Sequence, residues 1–168
     1  MKLFAIGLAA FIAVLTLTGC SKKSDNPVSA PEVTAAEANL TLNGAGYTNK
    51  AVKLGNGICG YSVSDTATGI VFTGTADQDT LQFYIVFKGN HSGTISWDAD
   101  NALLLYKYAS SGSFTFLGVQ EGTTTVSTYG EVGGKVEGSI SGKLYEATSQ
   151  VELNISGSFS AVRIPDSQ

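Results

Sequence analysis

The chain has 168 residues, of which 14% are charged, and its formal net charge at neutral pH is −4. The charged fraction lies well below the roughly 25% that is usual for soluble domains, and the negative sign argues against binding to nucleic-acid phosphates. With 20 glycines, 3 prolines and 43% hydrophobic residues, the composition favours strands joined by tight turns over helices, and it is too apolar for a disordered chain.

The first predicted element is a short apolar segment at the start of the chain. Met1 and Lys2 provide a positive charge, and residues 3–17 form a run of 15 mostly apolar residues. A membrane-spanning helix needs about 20 such residues, so this run is short for one. Its length is typical of the apolar region of a secretory signal peptide, and Thr18 and Gly19 supply the small residues that precede cleavage. We therefore predict a signal peptide at residues 1–19.

Leu17, Thr18, Gly19 and Cys20 resemble a lipobox, the recognition sequence of bacterial lipoproteins, in which an aliphatic residue and one or two small residues precede a cysteine. The resemblance implies that Cys20 receives a diacylglyceryl group, that the leader is removed before it, and that the new amino group is acylated. One acyl chain holds a protein only marginally, whereas several chains anchor it stably. An ordinary secretory signal peptide and an uncut membrane anchor are the alternatives.

The residues after Cys20 bear on location. In lipoproteins of bacteria with two membranes, an Asp directly after the cysteine tends to retain the protein at the inner membrane, so Ser21 is similar to the outer-membrane pattern. We predict an outer-membrane protein, with its periplasmic or surface face left open. Residues 20–37 are predicted to be the lipidated cysteine and a flexible tether, because residues 21–37 contain two prolines and no aromatic residue. Such a coil averages about 20–25 Å end to end.

From residue 39 onward, apolar and polar residues alternate, which predicts an all-β domain over residues 38–168. Only residues 32–40 are compatible with a short helix at the domain edge. Strands are predicted at 48–54, 80–88, 93–97, 103–109, 114–119 and 123–129, with two more inside 58–75 around a turn at 65–69. Turn signals recur every 8 to 12 residues, as expected of a sandwich or a barrel. We predict an antiparallel two-sheet β-sandwich, with a β-barrel as the alternative.

The last two predicted strands, 135–145 and 151–163, alternate most regularly and are joined by a polar linker at 146–150. Inward positions hold mainly Val, Ile, Leu and Phe, and outward positions hold mainly Ser, Lys and Glu, as in an antiparallel pair with one wet face. Glycines also fall at the inward positions 138, 142 and 157, which indicates that bulky residues approach these strands closely.

The same two strands carry a second resemblance. GGKVEGSISGKLY and NISGSFSAVR are similar to the C-terminal end of many small all-β lipoproteins of the cell envelope, which share a Gly-x-Phe-Ser-Gly strand and a closing Gly-x-Phe-x-x-x-Arg strand. Ile140 replaces the aromatic residue of the first strand, and Phe159 keeps that of the second. The resemblance covers about 30 residues and implies a fold and a compartment, but no activity.

Candidates for catalysis are few. His91 is the single histidine, and Cys59 is the only thiol that remains if Cys20 is lipidated. A Cys59–His91 dyad would need the two side chains in contact. The simpler interpretation is a buried cysteine on a strand and an exposed histidine in a turn. We predict no catalytic residue and no enzymatic activity. With one histidine and no cysteine pair, a transition-metal site lacks ligands.

Two loops carry clustered acidic residues that could bind calcium, namely Asp77 with Asp79 and Asp98 with Asp100. Carboxylate oxygens are the ligands that Ca²⁺ prefers. Aspartate is equally favoured in turns because its side chain bonds the local backbone. We therefore keep calcium as an alternative and predict no cofactor besides the lipid on Cys20.

Aromatic residues provide a binding hypothesis. Trp97, Tyr106 and Tyr108 fall in or beside two neighbouring predicted strands. If they point outward they could grip sugar rings, and the alternative is that Trp97 and one tyrosine belong to the core. The sequence thus predicts a lipid-anchored envelope protein that acts as a non-enzymatic binding or structural module. Its partners are the membrane and a glycan, a small ligand or an envelope protein. The alternatives are a carbohydrate-binding module, a barrel that carries a small apolar ligand, and a hydrolase.

Overall fold

A computed structural model describes residues 36–168, and all the regular elements in this range are strands. The ten strands are β1 (Glu37–Gly44), β2 (Tyr47–Ser62), β3 (Ala67–Ala76), β4 (Asp79–Lys88), β5 (Gly93–Ser96), β6 (Ala102–Ala109), β7 (Gly112–Gly118), β8 (Gly122–Tyr129), β9 (Lys135–Glu146) and β10 (Glu152–Arg163). The all-β prediction is confirmed. Within this range the structure has no helix long and apolar enough to cross a membrane. Cys20, the predicted leader and nearly all of the predicted tether lie outside the described residues.

Eight of the strands close into an antiparallel barrel in the order β1-β2-β3-β4-β6-β7-β9-β10, because β10 pairs back with β1. β10 extends beyond the first residue of β1, and there it pairs directly with β2 in a short parallel ladder that includes Val162 and Ile58. The predicted two-sheet sandwich is therefore wrong, and the barrel alternative is confirmed. Alternation identifies the buried face of each strand in either architecture. Closure depends on pairing between the first and last strands, which alternation does not encode.

The short β1 forms the seam of the barrel. It pairs over its length with β10, from Glu37 opposite Ser160 to Gly44 opposite Leu153, and on its other edge with β2. The helix considered for residues 32–40 is wrong from Glu37 onward, where the chain is already strand. Pairing on both edges and alternate burial of Ala38 and Leu40 outweigh the helix propensity of a short Ala- and Glu-containing segment.

Two strands, β7 and β8, share one edge of β9. At one end of the barrel β7 pairs with β9 only through Phe116 and Leu117. Farther along the same edge, β8 takes over from Gly122 to Tyr129, and β5 pairs with the outer edge of β8. Between β7 and β8 the regular ladder is interrupted and keeps one hydrogen bond, from the Lys143 N–H to the Glu121 carbonyl oxygen at 2.7 Å. We call this interruption of the barrel wall the split.

Trp97 fills the split. Its side chain is 3% exposed, and its Nε1 donates a hydrogen bond to Thr124 Oγ1 at 3.0 Å. A side chain at Gly118, Gly122 or Gly142 would overlap the indole ring, so three glycines create the space that it occupies. The sequence predicted that a bulky residue approaches Gly142 closely, and in the structure this residue is Trp97.

The interior of the barrel is filled by side chains from the ring strands. In β4, Leu81, Phe83, Ile85 and Phe87 are all fully buried, as the alternation predicted. The largest fully buried side chains are Phe72, Phe83, Phe87, Leu42, Leu54, Ile70, Leu81, Ile85, Leu103, Leu105, Leu144 and Leu153. Burial of each such side chain contributes about 1.5–3 kcal/mol relative to exposure. The barrel is thus a packed core rather than a container.

Candidate functional site

One flank of the barrel, formed by β5, β8, β9, β10 and β1, has an outer surface of hydroxyl and amide groups, which we call the hydroxyl face. Cross-strand register places the residues in rows because directly opposed residues point to the same side. One row runs Thr94, Thr125, Ser139, Ser158 and Asn39, and the next runs Ser96, Thr123, Ser141, Ser156 and Thr41. Such groups donate and accept hydrogen bonds without carrying charge.

A depression of about 460 Å³, which we call the groove, lies at one end of the hydroxyl face. Its polar lining residues are Thr41, Asn43, Asn49, Glu121, Ser141, Lys143, Asn154 and Ser156. They come from β1 and the start of β2, from β9 and β10, and from the segment between β7 and β8. The split in the wall is what brings Glu121 to the groove.

An ion network borders the groove. Lys143 Nζ lies 3.3 Å from Glu121 Oε2 and 3.4 Å from Glu152 Oε2, and the Tyr145 hydroxyl donates to Glu121 Oε1 at 2.7 Å. The Tyr145 hydrogen bond and the Lys143 ammonium lower the pKa of Glu121. The Glu121 and Glu152 carboxylates in turn raise the pKa of Lys143. Both shifts favour the charged forms of Glu121 and Lys143.

A second depression, of about 400 Å³, lies farther along the same face between β1, β8, β9 and β10. Here Ser160 Oγ donates to Glu137 Oε1 at 3.1 Å, and Lys53 pairs with Glu37 at 2.6 Å. The hydroxyl face therefore carries two shallow polar depressions, one beyond the other along β1, β9 and β10.

The opposite flank, which we call the apolar flank, carries an apolar row on its outer side, beside a polar row of Thr73, Gln82, Tyr106 and Thr115. Successive cross-strand partners from β2 to β9 form one row: Ile58, Val71, Tyr84, Leu104, Leu117 and Tyr145. Ile58 is 44% exposed, and the others are partly exposed. This row of partly exposed apolar side chains has no counterpart in the two rows of the hydroxyl face.

Three tyrosines on β4 and β6 form a patch within this apolar flank, which we call the tyrosine patch. The rings of Tyr84 and Tyr106 meet edge to face at 5.6 Å, and the Tyr84 hydroxyl donates to Gln82 Oε1 at 3.2 Å. Tyr108 is 42% exposed. Burial and the neighbouring Tyr108 and Tyr106 hydroxyls raise the pKa of Tyr84.

The aromatic residues singled out from the sequence are thus divided by the structure. Tyr106 and Tyr108 lie together in the tyrosine patch, whereas Trp97 is in the core on the other side of the wall. Tyr84 is the member that sequence reasoning missed. Its signal was present, since the alternation of β4 already places Tyr84 on the outer face.

Three of the four aspartates considered for calcium have carboxylates that are engaged within the protein, namely Asp77, Asp79 and Asp98. Asp77 pairs with Lys50 at 2.5 Å and Asp79 with Lys107 at 3.0 Å. Asp98 Oδ1 accepts the backbone N–H groups of Asp100 and Asn101 at 2.8 and 2.9 Å, and these bonds lower its pKa. Among residues 36–168, no three His, Cys, Asp or Glu side chains come together as a set that could hold a metal ion.

Cys59 and His91 lie in different environments. Cys59 on β2 is 0% exposed, and burial raises the pKa of its thiol to about 12. His91 is exposed in the turn after β4, with Nδ1 3.1 Å from the Ser92 carbonyl oxygen. A nucleophilic thiolate needs a lowered pKa and access, and Cys59 has neither.

Near Cys59, Arg163 at the end of β10 forms a buried polar cluster. Its guanidinium pairs with both carboxylate oxygens of Asp166 at 2.8 and 3.1 Å and donates to the Gly130 carbonyl oxygen at 3.1 Å. It also lies 5.1 Å from the centre of the Tyr129 ring. This cluster closes one end of the barrel, and its only sequence signal was the final Arg of the C-terminal resemblance.

The chain gave no match to the family models, the curated proteins or the solved structures with which it was compared.

Proposed function

We propose that this chain is a bacterial lipoprotein held in the outer membrane by acyl chains on Cys20, and that its barrel is a non-enzymatic binding module. The lipobox-like residues before Cys20 and the serine that follows it support the anchor and the membrane. A polar tether of the predicted length would let the barrel meet a ligand away from the lipid headgroups.

The observation that carries the binding proposal is a barrel whose interior is filled by side chains and whose outer surface has a hydroxyl face and an apolar flank. Phe72, Phe83 and Phe87 are fully buried in the interior, so a ligand carried inside would have to displace well-packed side chains. The outer surface offers distinct hydroxyl and apolar flanks instead. Binding on the outside therefore requires no change in the core.

A carbohydrate-binding module is the second candidate, and the tyrosine patch favours it. Tyr106 and Tyr108 present ring surface and hydroxyls on the outer side of β6, next to Tyr84 and the Gln82 amide. Tyrosine combines an apolar face with a polar tip, which suits the mixed surface of a sugar ring.

Labelling of cells with tagged palmitate tests the anchor, with the other cysteine as a matched control. We expect the wild-type protein and the Cys59→Ala variant to incorporate label and to sediment with membranes, because Cys59 is buried. The Cys20→Ala variant should incorporate none and accumulate as an unprocessed or soluble form. Label on the Cys20→Ala protein would contradict the proposal.

A further inference from the structure

The groove brings together the groups that recognise hydroxyls. The side chains of Asn49, Asn154, Thr41 and Ser156 are exposed along it, and the Glu121 carboxylate lies at its rim. Amides both donate and accept hydrogen bonds, carboxylates accept two or more, and hydroxyls do either. The volume of about 460 Å³ falls in the range of small-ligand sites.

The charges at the groove decide between ligand classes. Lys143 is already placed between Glu121 and Glu152, so an anion would meet two carboxylates and a lysine that is neutralised. A cation would have to compete with Lys143 for the same carboxylates. A neutral ligand meets neither the repulsion that an anion would meet nor the competition with Lys143 that a cation would meet. It also gains charge-assisted hydrogen bonds from groups that the ion network holds in place.

The Tyr145 hydroxyl bond to Glu121 adds order to this site. Because Tyr145 and Lys143 both bond to Glu121, the carboxylate is fixed from two directions before any ligand arrives. A side chain that is held in place in advance loses less conformational freedom on binding.

We propose that the groove binds a neutral saccharide, whose hydroxyls bond to Glu121, Asn154 and the neighbouring amides and hydroxyls. This inference rests on the proposed binding function and moves the ligand from the tyrosine patch to the hydroxyl face. Glu121 and Lys143 are binding residues in this site.

The test measures binding of the purified full-length protein to neutral oligosaccharides of glucose, mannose, galactose and N-acetylglucosamine, with uronic-acid oligomers as anionic counterparts. We expect a neutral oligomer to bind more tightly than its anionic counterpart, with a Kd that changes less than about twofold between low and high salt. Glu121→Gln should weaken binding about tenfold or more, as loss of a charge-assisted hydrogen bond does. Asn154→Ala should weaken it about three- to tenfold.

Two control variants locate the site. Asn39→Ala removes an exposed amide from the second depression, and Tyr108→Ala removes the most exposed ring of the tyrosine patch. Both should leave the Kd unchanged. Thermal unfolding shows whether each variant is folded. Because Glu121→Gln and Asn154→Ala both test the groove, one of them suffices if the other protein is unstable.

Loss of binding in Tyr108→Ala with full binding in the groove variants would overturn this inference and leave the proposed binding module standing, with its site at the tyrosine patch. Failure of every oligosaccharide, or preference for the anionic ones, would also overturn it. Neither result bears on the lipid anchor, which the labelling of Cys20 tests separately.

Discussion

Gly142 lies where β9 passes the ring of Trp97, and its missing side chain sets how closely the strand approaches the indole. A Cβ at this position would meet the ring together with the backbone of Glu121 and Gly122. Backbone cannot move aside as a flexible side chain can, so the collision would have to be relieved by a shift of β9 or of Trp97. The residue thus links the packing of the core to the shape of the groove above it.

We predict that Gly142→Ala lowers the free energy of unfolding by about 1–3 kcal/mol, the usual cost of overpacking a filled core. Gly69→Ala is the matched control, because Gly69 is also a strand glycine but has nothing within 4 Å of the added Cβ. Its effect should stay within about 0.5 kcal/mol. Urea denaturation of the three proteins measures the difference, and equal stability of the two variants would contradict the packing of Trp97 described above.

Residue types also explain which sites could be foreseen. Tyr106 and Tyr108 share one face of β6 because they are two residues apart on a strand, and this placement could be predicted. Trp97 was ambiguous because it follows β5, and its burial depends on glycines at 118, 122 and 142 that are distant from it in sequence. The network of Glu121, Lys143, Glu152 and Tyr145 was missed because its members come from three separate segments that only the folded barrel brings together.

The hairpin between β9 and β10 is stabilised by a carboxylate at the end of its first strand. Glu146 is 7% exposed and accepts the backbone N–H groups of Thr148, at 3.0 Å, and of Ser149. Bonds from Ser149 and Thr148 favour the ionised form and lower the pKa of Glu146 below its ordinary value of 4.5. The turn is therefore stabilised by the charged carboxylate.

The sign of the pH dependence follows from this lowered pKa. The contribution of Glu146 to stability is complete above the ordinary pKa of 4.5 and is lost as the pH falls through the lowered pKa of the folded state. We predict that Glu146→Gln is less stable than wild type at pH 7 and that the difference shrinks toward pH 3. Urea denaturation at both pH values is the measurement, and Glu131→Gln, at an exposed turn, is the control. A stability difference between Glu146→Gln and wild type that is larger at pH 3 than at pH 7 would contradict the stabilising role of the ionised Glu146.

At the scale of elements, alternation predicted β4, β9 and β10 well, because each of these strands has one face on a dense core. It failed at the start of β1, where Glu37–Gly44 follows a segment rich in Ala and Glu. Eight residues give too few repeats to separate a short helix from a strand. One edge of β1 pairs with the following strand β2, whereas the other pairs with β10, more than a hundred positions away along the chain.

Residues 36–168 are built around a closed ring of eight strands, whose seam consists of β1 and the direct contact of β10 with β2. Closure pairs the ring strands β1 and β10 that would otherwise be edges open to other chains, and among the described strands β5 pairs on one side, with β8. The sequence predicted most strands of this ring, although it missed β1 and divided β2 into two strands. It did not predict the ring itself, because a sandwich and a barrel share the same alternation. The two-sided outer surface also emerges only at this scale, since it needs the register of all the strands.

The proposed anchor would hold a barrel with a packed interior in a defined compartment and leave its outer surface to do the binding. The hydroxyl face and the apolar flank would both stay accessible on a flexible tether, whereas the lipid alone would fix the location. The anchor at Cys20 is therefore the claim on which the rest of the functional account depends.

Mass spectrometry of the native protein, purified from membranes of its own cells, tests that claim most directly. The account predicts a mature chain that begins at Cys20 and carries the added mass of a diacylglyceryl group and one further acyl chain. A mature chain that begins at any other residue and carries no acyl mass would contradict it.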